Sequence, residues 1–309
     1  MIVNVINSGI TESTSNVFAG MSLAEACGQL QANVSDALNE MNMSILLNEH
    51  LYLRENGEDI SYVNEGKLTD LKNKITGAVD KVISQVSQLW DRLVSWVQDR
   101  VEDVRMAFAR AKINKDKAQK ACDAGVEFYD GLTIKNVKNE DIEKIIANIS
   151  DTDYNNSDKE KSEFKLDSYI TPMTKATNTE LNDAFQNVFN TEHTTIGRIR
   201  TAKKTAIGAL NALKKEVKGS DDSDKSEQIK KINKQCRNIS AYSSLAIKAY
   251  HMNIDASVKL LQQAVKFHAK YTASEKKIEK ASKKSEKFAQ KYSKTSESAI
   301  FTDDRFFKA

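Results

Sequence analysis

Proline is almost missing from this chain. Pro172 is the only one among 309 residues, and just 11 glycines accompany it. Strands, tight turns and the loops that hold catalytic groups draw on both residue types, so their scarcity selects helix. Cysteine is scarce as well. Cys27, Cys122 and Cys236 are an odd number, lie far apart in helical patterns and share no ligand spacing. Small buried hydrophobes in a reducing compartment are the better reading than disulfides or a metal site.

The chemistry-bearing motifs are missing too. The four histidines (His50, His193, His251 and His268) form no i, i+4 pair of the kind that grips zinc. No G-x-S-x-G elbow and no phosphate-cradling glycine loop occurs. Adjacent acids such as Asp221 and Asp222, or Asp303 and Asp304, lie in polar segments where nothing would raise a carboxylate pKa. The expectation is a protein that is not an enzyme, with no catalytic residue, cofactor or metal to nominate. Neither a basic leader nor a charge-free window of about 18 residues occurs, so no signal peptide and no transmembrane helix is expected. A cytoplasmic protein, or one that leaves without a leader, follows.

What the chain does have is charge, unevenly placed. Residues 1–66 hold nine acids and one base, Arg54, a net of −8. The whole is +3, so the remainder carries +11. Residues 266–294 alone hold ten lysines against three glutamates, a net of +7. Lys276, Lys277, Lys280, Lys283, Lys284 and Lys287 are the candidates there for contact with a polyanion such as DNA. The segment has no arginine for bidentate contacts, and its Ala, Ser, Lys and Glu content also suits a solvated helical face. The acidic segment 1–66 of a neighbouring copy is a further candidate partner.

Hydrophobic spacing completes the organisation. After a short extended arm over residues 1–7, Ser22-x-x-Glu25 is a capping-box signature. A helix follows to about Arg54, with Leu23, Cys27, Leu30, Val34, Leu38, Met41 and Ile45 on one face. Asn56-Gly57 supplies a turn. Then Leu68, Leu71, Ile75, Val79, Val82, Val86, Leu89, Leu93, Val97, Val101, Val104 and Phe108 advance at the straight helical period, widened by Ile83, Trp90, Val94 and Trp96.

Short helices are expected over 115–128 and 141–149, and a polar linker over 151–177 that Pro172 closes. A second capping box, Thr177-x-x-Glu180, opens a helix to about Val217, in which Gly197 and Gly208 suggest close approach by a neighbouring backbone. Residues 218–227 connect it to a last helical pattern that runs into the lysine-rich tail. A terminal cluster of Ile300, Phe301, Phe306 and Phe307 is expected to dock on the body or on another subunit.

The fold class that follows is all-α, an elongated bundle of long antiparallel helices with a short extended N-terminal arm. Its divisions are 1–66, acidic arm and helix; 67–150, long amphipathic helix and short helices; 151–177, linker; and 178–309, a helical hairpin with its tail. Val86, Leu89, Trp90, Leu93, Trp96 and Val97 form the central surface of the amphipathic helix. Its polar face mixes Asp80, Asp91, Asp99, Glu102 and Asp103 with Lys81, Arg92, Arg100 and Arg105, which weakens attraction to anionic lipid. Core packing is therefore the first reading of that surface, and membrane contact through residues 79–108 after a rearrangement is the second.

The stretch ALNEMNMSILLNEHLYLRENGED, followed by LTDLKNKITGAVDKVISQVSQLWDRLVSWVQDRVEDV, resembles uncharacterised virion proteins of large tailed bacteriophages of Gram-positive hosts. In such proteins an acidic helix precedes a long amphipathic one bearing Trp and Val, and a lysine-rich helical remainder follows. The likeness covers roughly positions 1–110. It implies a non-enzymatic structural component of the particle, inside the head or delivered with DNA; the partners expected of the chain are other subunits of a protein assembly, copies of itself among them. No functional residue carries over.

Overall fold

The computed structural model describes residues 17–56, 65–117, 130–151, 157–159, 161–175, 178–190, 193–219 and 225–300. Six long or medium helices and two strands make up the fold among them: α1 (Leu23–Asn56), α2 (Glu65–Ala111), β1 (Asp130–Val137), α3 (Asn139–Ser150), β2 (Ile170–Lys175), α4 (Asn178–Phe189), α5 (Thr195–Gly219) and α6 (Lys225–Ile300). Two short 3-10 turns, Lys161–Phe164 and Leu166–Tyr169, precede β2. The all-α expectation describes the molecule, with one small sheet added. The extended arm, Cys122, Thr177, the glycine of the Asn56-Gly57 turn, most of the expected 115–128 helix and the terminal phenylalanines lie outside the described residues.

The start of α1 is set locally. The Ser22 amide donates to Glu25 Oε2 at 2.7 Å, and the Glu25 amide donates to Ser22 Oγ at 3.3 Å. This is the reciprocal box that satisfies two otherwise orphaned donors. The bond from the Ser22 amide holds the Glu25 carboxyl below its usual pKa. From there the expected face of α1, Leu23 through Ile45, is buried.

α1 and α2 form an antiparallel pair. Lys81 bonds Glu40 at 2.8 Å, and Arg92 Nη1 donates to the Phe18 carbonyl at 2.6 Å. α5 runs back along α2, fastened by Lys203 to Asp91 (2.7 Å) and Lys214 to Asp80 (2.6 Å). Such partly exposed pairs contribute at most about 1 kcal/mol each, so their use is to fix register rather than to hold the fold.

α6 is the axis. Over residues 232–264 only Arg237, Lys259 and Gln262 are exposed. A helix covered on all sides must be central. α1 lies on it through Asn42 to Asn233 and Gln31 to Ser244. α2 meets it where Trp90 sets its ring edge-on to Tyr250 at 6.3 Å. α5 joins through the Glu216–Lys231 ion pair. Buried Ser240, Ser243 and Ser244 keep α6 narrow at this crossing.

The sheet is the principal departure from expectation. Residues 170–175 are not part of a polar linker: β2 pairs antiparallel with β1, with Ile134 opposite Met173, Lys135 opposite Pro172 and Val137 opposite Ile170. Pro172 is tolerated because every strand of a two-stranded sheet is an edge strand. A lone two-stranded ladder is marginal by itself. Here Ile134 and Val137 are buried in the common core, and α6 holds the ladder from beneath.

The expected helical hairpin after residue 177 is instead three helices. α4 ends at Phe189, and α5 restarts at Thr195, whose hydroxyl donates to the Asn187 carbonyl at 3.1 Å. In an unbroken helix that carbonyl would serve the amide four residues on. The Thr195 side chain ties the start of α5 to the last turn of α4. Gly208 is a second correction. A Cβ there would meet nothing within 4 Å, so the residue borders a groove rather than a close-approaching backbone.

Candidate interaction surfaces

The tryptophan-bearing stripe of α2 lies in the core. Val86, Leu89, Trp90, Leu93 and Val97 are each 0% exposed, and Trp96 is half-buried at the margin. Burying each Val or Leu stabilises the fold by about 1.5–3 kcal/mol relative to leaving it exposed. The face meets α1, α5 and α6 at once, which explains why it is wider than a coiled-coil seam. Near its end Phe108, Phe185 and Phe189 form a trio with ring centroids 5.3–5.6 Å apart. Lipid could reach this surface only if the bundle opened. Among the described residues no helix is long and apolar enough to cross a membrane.

The lysine candidates lie elsewhere, on α6 beyond the body. Every residue over 273–291 is exposed, so this part of the helix projects from the bundle as a single-helix spar. At 3.6 residues per turn, Lys276, Lys277, Lys280, Lys283, Lys284, Lys287 and Lys291 fall within roughly a third of its circumference. Ser274, Ile278, Ala281, Ser285 and Phe288 share the neighbouring third, and Glu275, Glu279 and Glu286 line the far side. Glu279 and Lys283 pair at 2.6 Å across one turn, which supports the helix by a few tenths of a kcal/mol. Ile278 and Phe288 are 69% and 59% exposed.

A cleft of about 570 Å³ opens where β1, β2, α4 and α6 meet. Its floor is a buried amide ladder. Asn187 Nδ2 donates to Asn253 Oδ1 and to Ser257 Oγ, both at 3.1 Å, and Asn253 Nδ2 donates to the Val137 carbonyl at 2.8 Å. Its rim carries Glu140, Glu180 and Asp183. Partial burial, together with the like charges of Glu140 and Glu180, raises the Asp183 pKa against the pull of Arg198. Among the described residues no group of His, Cys, Asp or Glu could hold a metal ion. The ladder's polar atoms are turned to each other, so the arrangement is a fastening between sheet and helix. A smaller groove between α3, α5 and α6 is lined by Gly208, Ala209, Ala212 and Gln235.

The stripe lies in the core and the lysine run on the exposed end of α6, whereas the amide ladder has almost no local signature. Asn187, Asn253 and Ser257 look like ordinary polar positions until α4, α6 and β1 are brought together. The spacing Asn253-x-x-x-Ser257 is one helical turn, the sole local signal that the two share a face. No protein-family model matches this chain, and no match was found among curated proteins or solved structures.

Proposed function

We propose that this protein is a non-enzymatic structural component of a larger assembly, of the kind found in phage-like virions. It would act through helix–helix packing and charge complementarity. The observation that carries the reading is the division of α6. One helix is the almost wholly covered axis of the bundle over 232–264 and a solvent-exposed, charged spar over 273–291. A helix that leaves its own core with apolar and cationic residues exposed has a surface for another molecule, and the rigid bundle fixes its direction. The acidic segment 1–66 and the basic remainder supply complementary charge. The phage resemblance over positions 1–110 supplies the setting.

The test is biochemical purification of intact particles from cells that produce the protein. The expected result is this chain at a constant ratio to the major shell protein, retained through nuclease washes at low salt. Its loss in those washes, or its recovery only in the particle-free fraction, would remove the reading.

A further inference from the structure

The exposed large hydrophobic residues are not scattered. Val17, Met43, Leu46, Leu47, Met106, Ile278 and Phe288 are exposed among the described residues, and five of these seven fall in two patches. Met43, Leu46 and Leu47 occupy the solvent face of α1, and Ile278 and Phe288 occupy the spar. The patches differ in sign. On α1, Asp36, Glu40, Met43 and Leu47 follow one another at steps of four, three and four, which places them in a single line along the helix. All four are exposed, although Glu40 is also within 2.8 Å of Lys81. In sequence Glu49, Glu55, Glu58 and Asp59 continue the negative charge. On the spar the apolar line is bordered by Lys277, Lys284 and Lys291, one heptad apart.

Two spars do not suit each other. In a parallel pair those three lysines would face Ser282, Ala289 and Ser296, none of them acidic. In an antiparallel pair they would face one another, which is repulsive. An acidic helix with exposed apolar residues does suit the spar, and this chain carries one. A chain cannot use its own. Asn233, near the start of α6, bonds Asn42 on α1 at 3.0 Å, and Ile278 lies 45 residues farther along the same continuous helix, roughly 68 Å away at 1.5 Å per residue.

We infer that the spar of one copy docks on the solvent face of α1 of a second copy, joining chains head to tail. With the two helices parallel and Lys277 level with Asp36, Lys277 and Lys284 approach Asp36 and Glu40, and Phe288 covers Met43 and Leu47. This deepens the assembly reading and rests on it. The lines match in length as well: Asp36 to Leu47 and Ile278 to Phe288 are each about 15 Å. Because the two surfaces differ, the contact is heterologous and leaves both ends unsatisfied, so it extends into rings or filaments instead of closing at a dimer.

The test uses two full-length variants, each disabled at one end. The spar variant carries Lys277→Glu, Ile278→Ser and Lys284→Glu; the α1 variant carries Asp36→Lys, Met43→Ser and Leu47→Ser. All six positions are exposed, and an unchanged thermal midpoint confirms folding. By sedimentation velocity, the unaltered protein is expected to form species that grow with concentration and shrink with salt. Each variant alone is expected to stay at the 34.6 kDa of one chain. An equimolar mixture has one intact junction and is expected to stop at a dimer.

Association that persists in the spar variant would overturn this interface while leaving the assembly reading in place. A mixture that stays monomeric would also overturn it. An unaltered chain that remains monomeric, yet binds duplex DNA with steep salt dependence lost in the spar variant, would assign the lysine face to nucleic acid and overturn the proposal. Absence from purified particles as well would remove both readings.

Discussion

The Trp96 indole lies against the His251 imidazole with ring centroids 4.1 Å apart and planes tilted by 30°. Arg100 approaches the same indole, its guanidinium carbon 5.8 Å from the ring centroid. The contact seals the margin of the core where α2 crosses α6. Burial there lowers the His251 pKa; Asp255 pulls it up, and Arg100 and Lys259 push it down further. The unfolded chain, with an ordinary value of 6.5, therefore takes up a proton at a pH where the folded protein does not. Stability from this residue is complete above 6.5 and falls as pH drops below it, levelling off beneath the folded-state pKa. The thermal midpoint should decline on acidification from pH 7.5 through 6, and His251→Phe should flatten that decline. An unchanged slope in the variant would show that other groups set it.

Leu93 is the clearest test of the central stripe. It is fully buried between neighbours at the crossing of α2 and α6. Leu93→Ala should cost about 2–5 kcal/mol in urea unfolding, through lost burial and the cavity left behind. Leu93→Asp should abolish the cooperative transition, because a carboxylate there has no partner. A Leu93→Asp protein with the unaltered unfolding midpoint would show that this face is not core.

The amide ladder under the cleft makes a different prediction. Removing Asn253 takes away the bonds it makes to the buried Val137 carbonyl and the Asn187 amide. Asn253→Ala should then cost about 1–3 kcal/mol. Adding Asn187→Ala should cost less than it does alone, because the bond it removes is already gone. Strictly additive losses would mean that the two residues do not act as one fastening.

Cys27 and Cys236 report on opening. Both are buried as free thiols, and burial pushes each up to about 12. Thiolate is the reactive form, so neither should be alkylated by iodoacetamide at pH 8 in the folded protein. Peptide mapping should find both modified together once denaturant crosses the unfolding midpoint. Rapid labelling of either in buffer would mean that the bundle opens locally around it.

Much of this architecture can be read from local spacing. The line from Leu23 to Ile45 and the stripe from Ile75 to Phe108 are buried as their helical period dictates, and Ser22 with Glu25 marks the start of α1. The features that escape such reading depend on partners distant in sequence. β1 and β2 are short, interrupted by lysines and separated by more than thirty residues, so nothing local distinguishes them from linker. The junction between α4 and α5 is bridged by one hydroxyl, that of Thr195, which looks like any other threonine. Gly208 reads as a packing glycine because an exposed glycine in a helix carries the same letter. The exposed line of Asp36, Glu40, Met43 and Leu47 has helical spacing too, but only the burial of the opposite face shows that it is turned to solvent.

The position of α6 at the centre of the bundle has a consequence for how the protein is made. The axis is translated last, after every helix that packs on it. α1 and α2 can pair as they emerge and α5 adds to them, yet the side of α2 that carries Trp90 and Leu93 is not fully covered until residue 264 has been added. At 5–20 residues per second the delay after Ala111 is roughly 8–30 s. A nascent chain with that apolar side open is a natural client for chaperones. Slowing or stalling synthesis before α6 should therefore favour aggregation more than an equal slowdown afterwards.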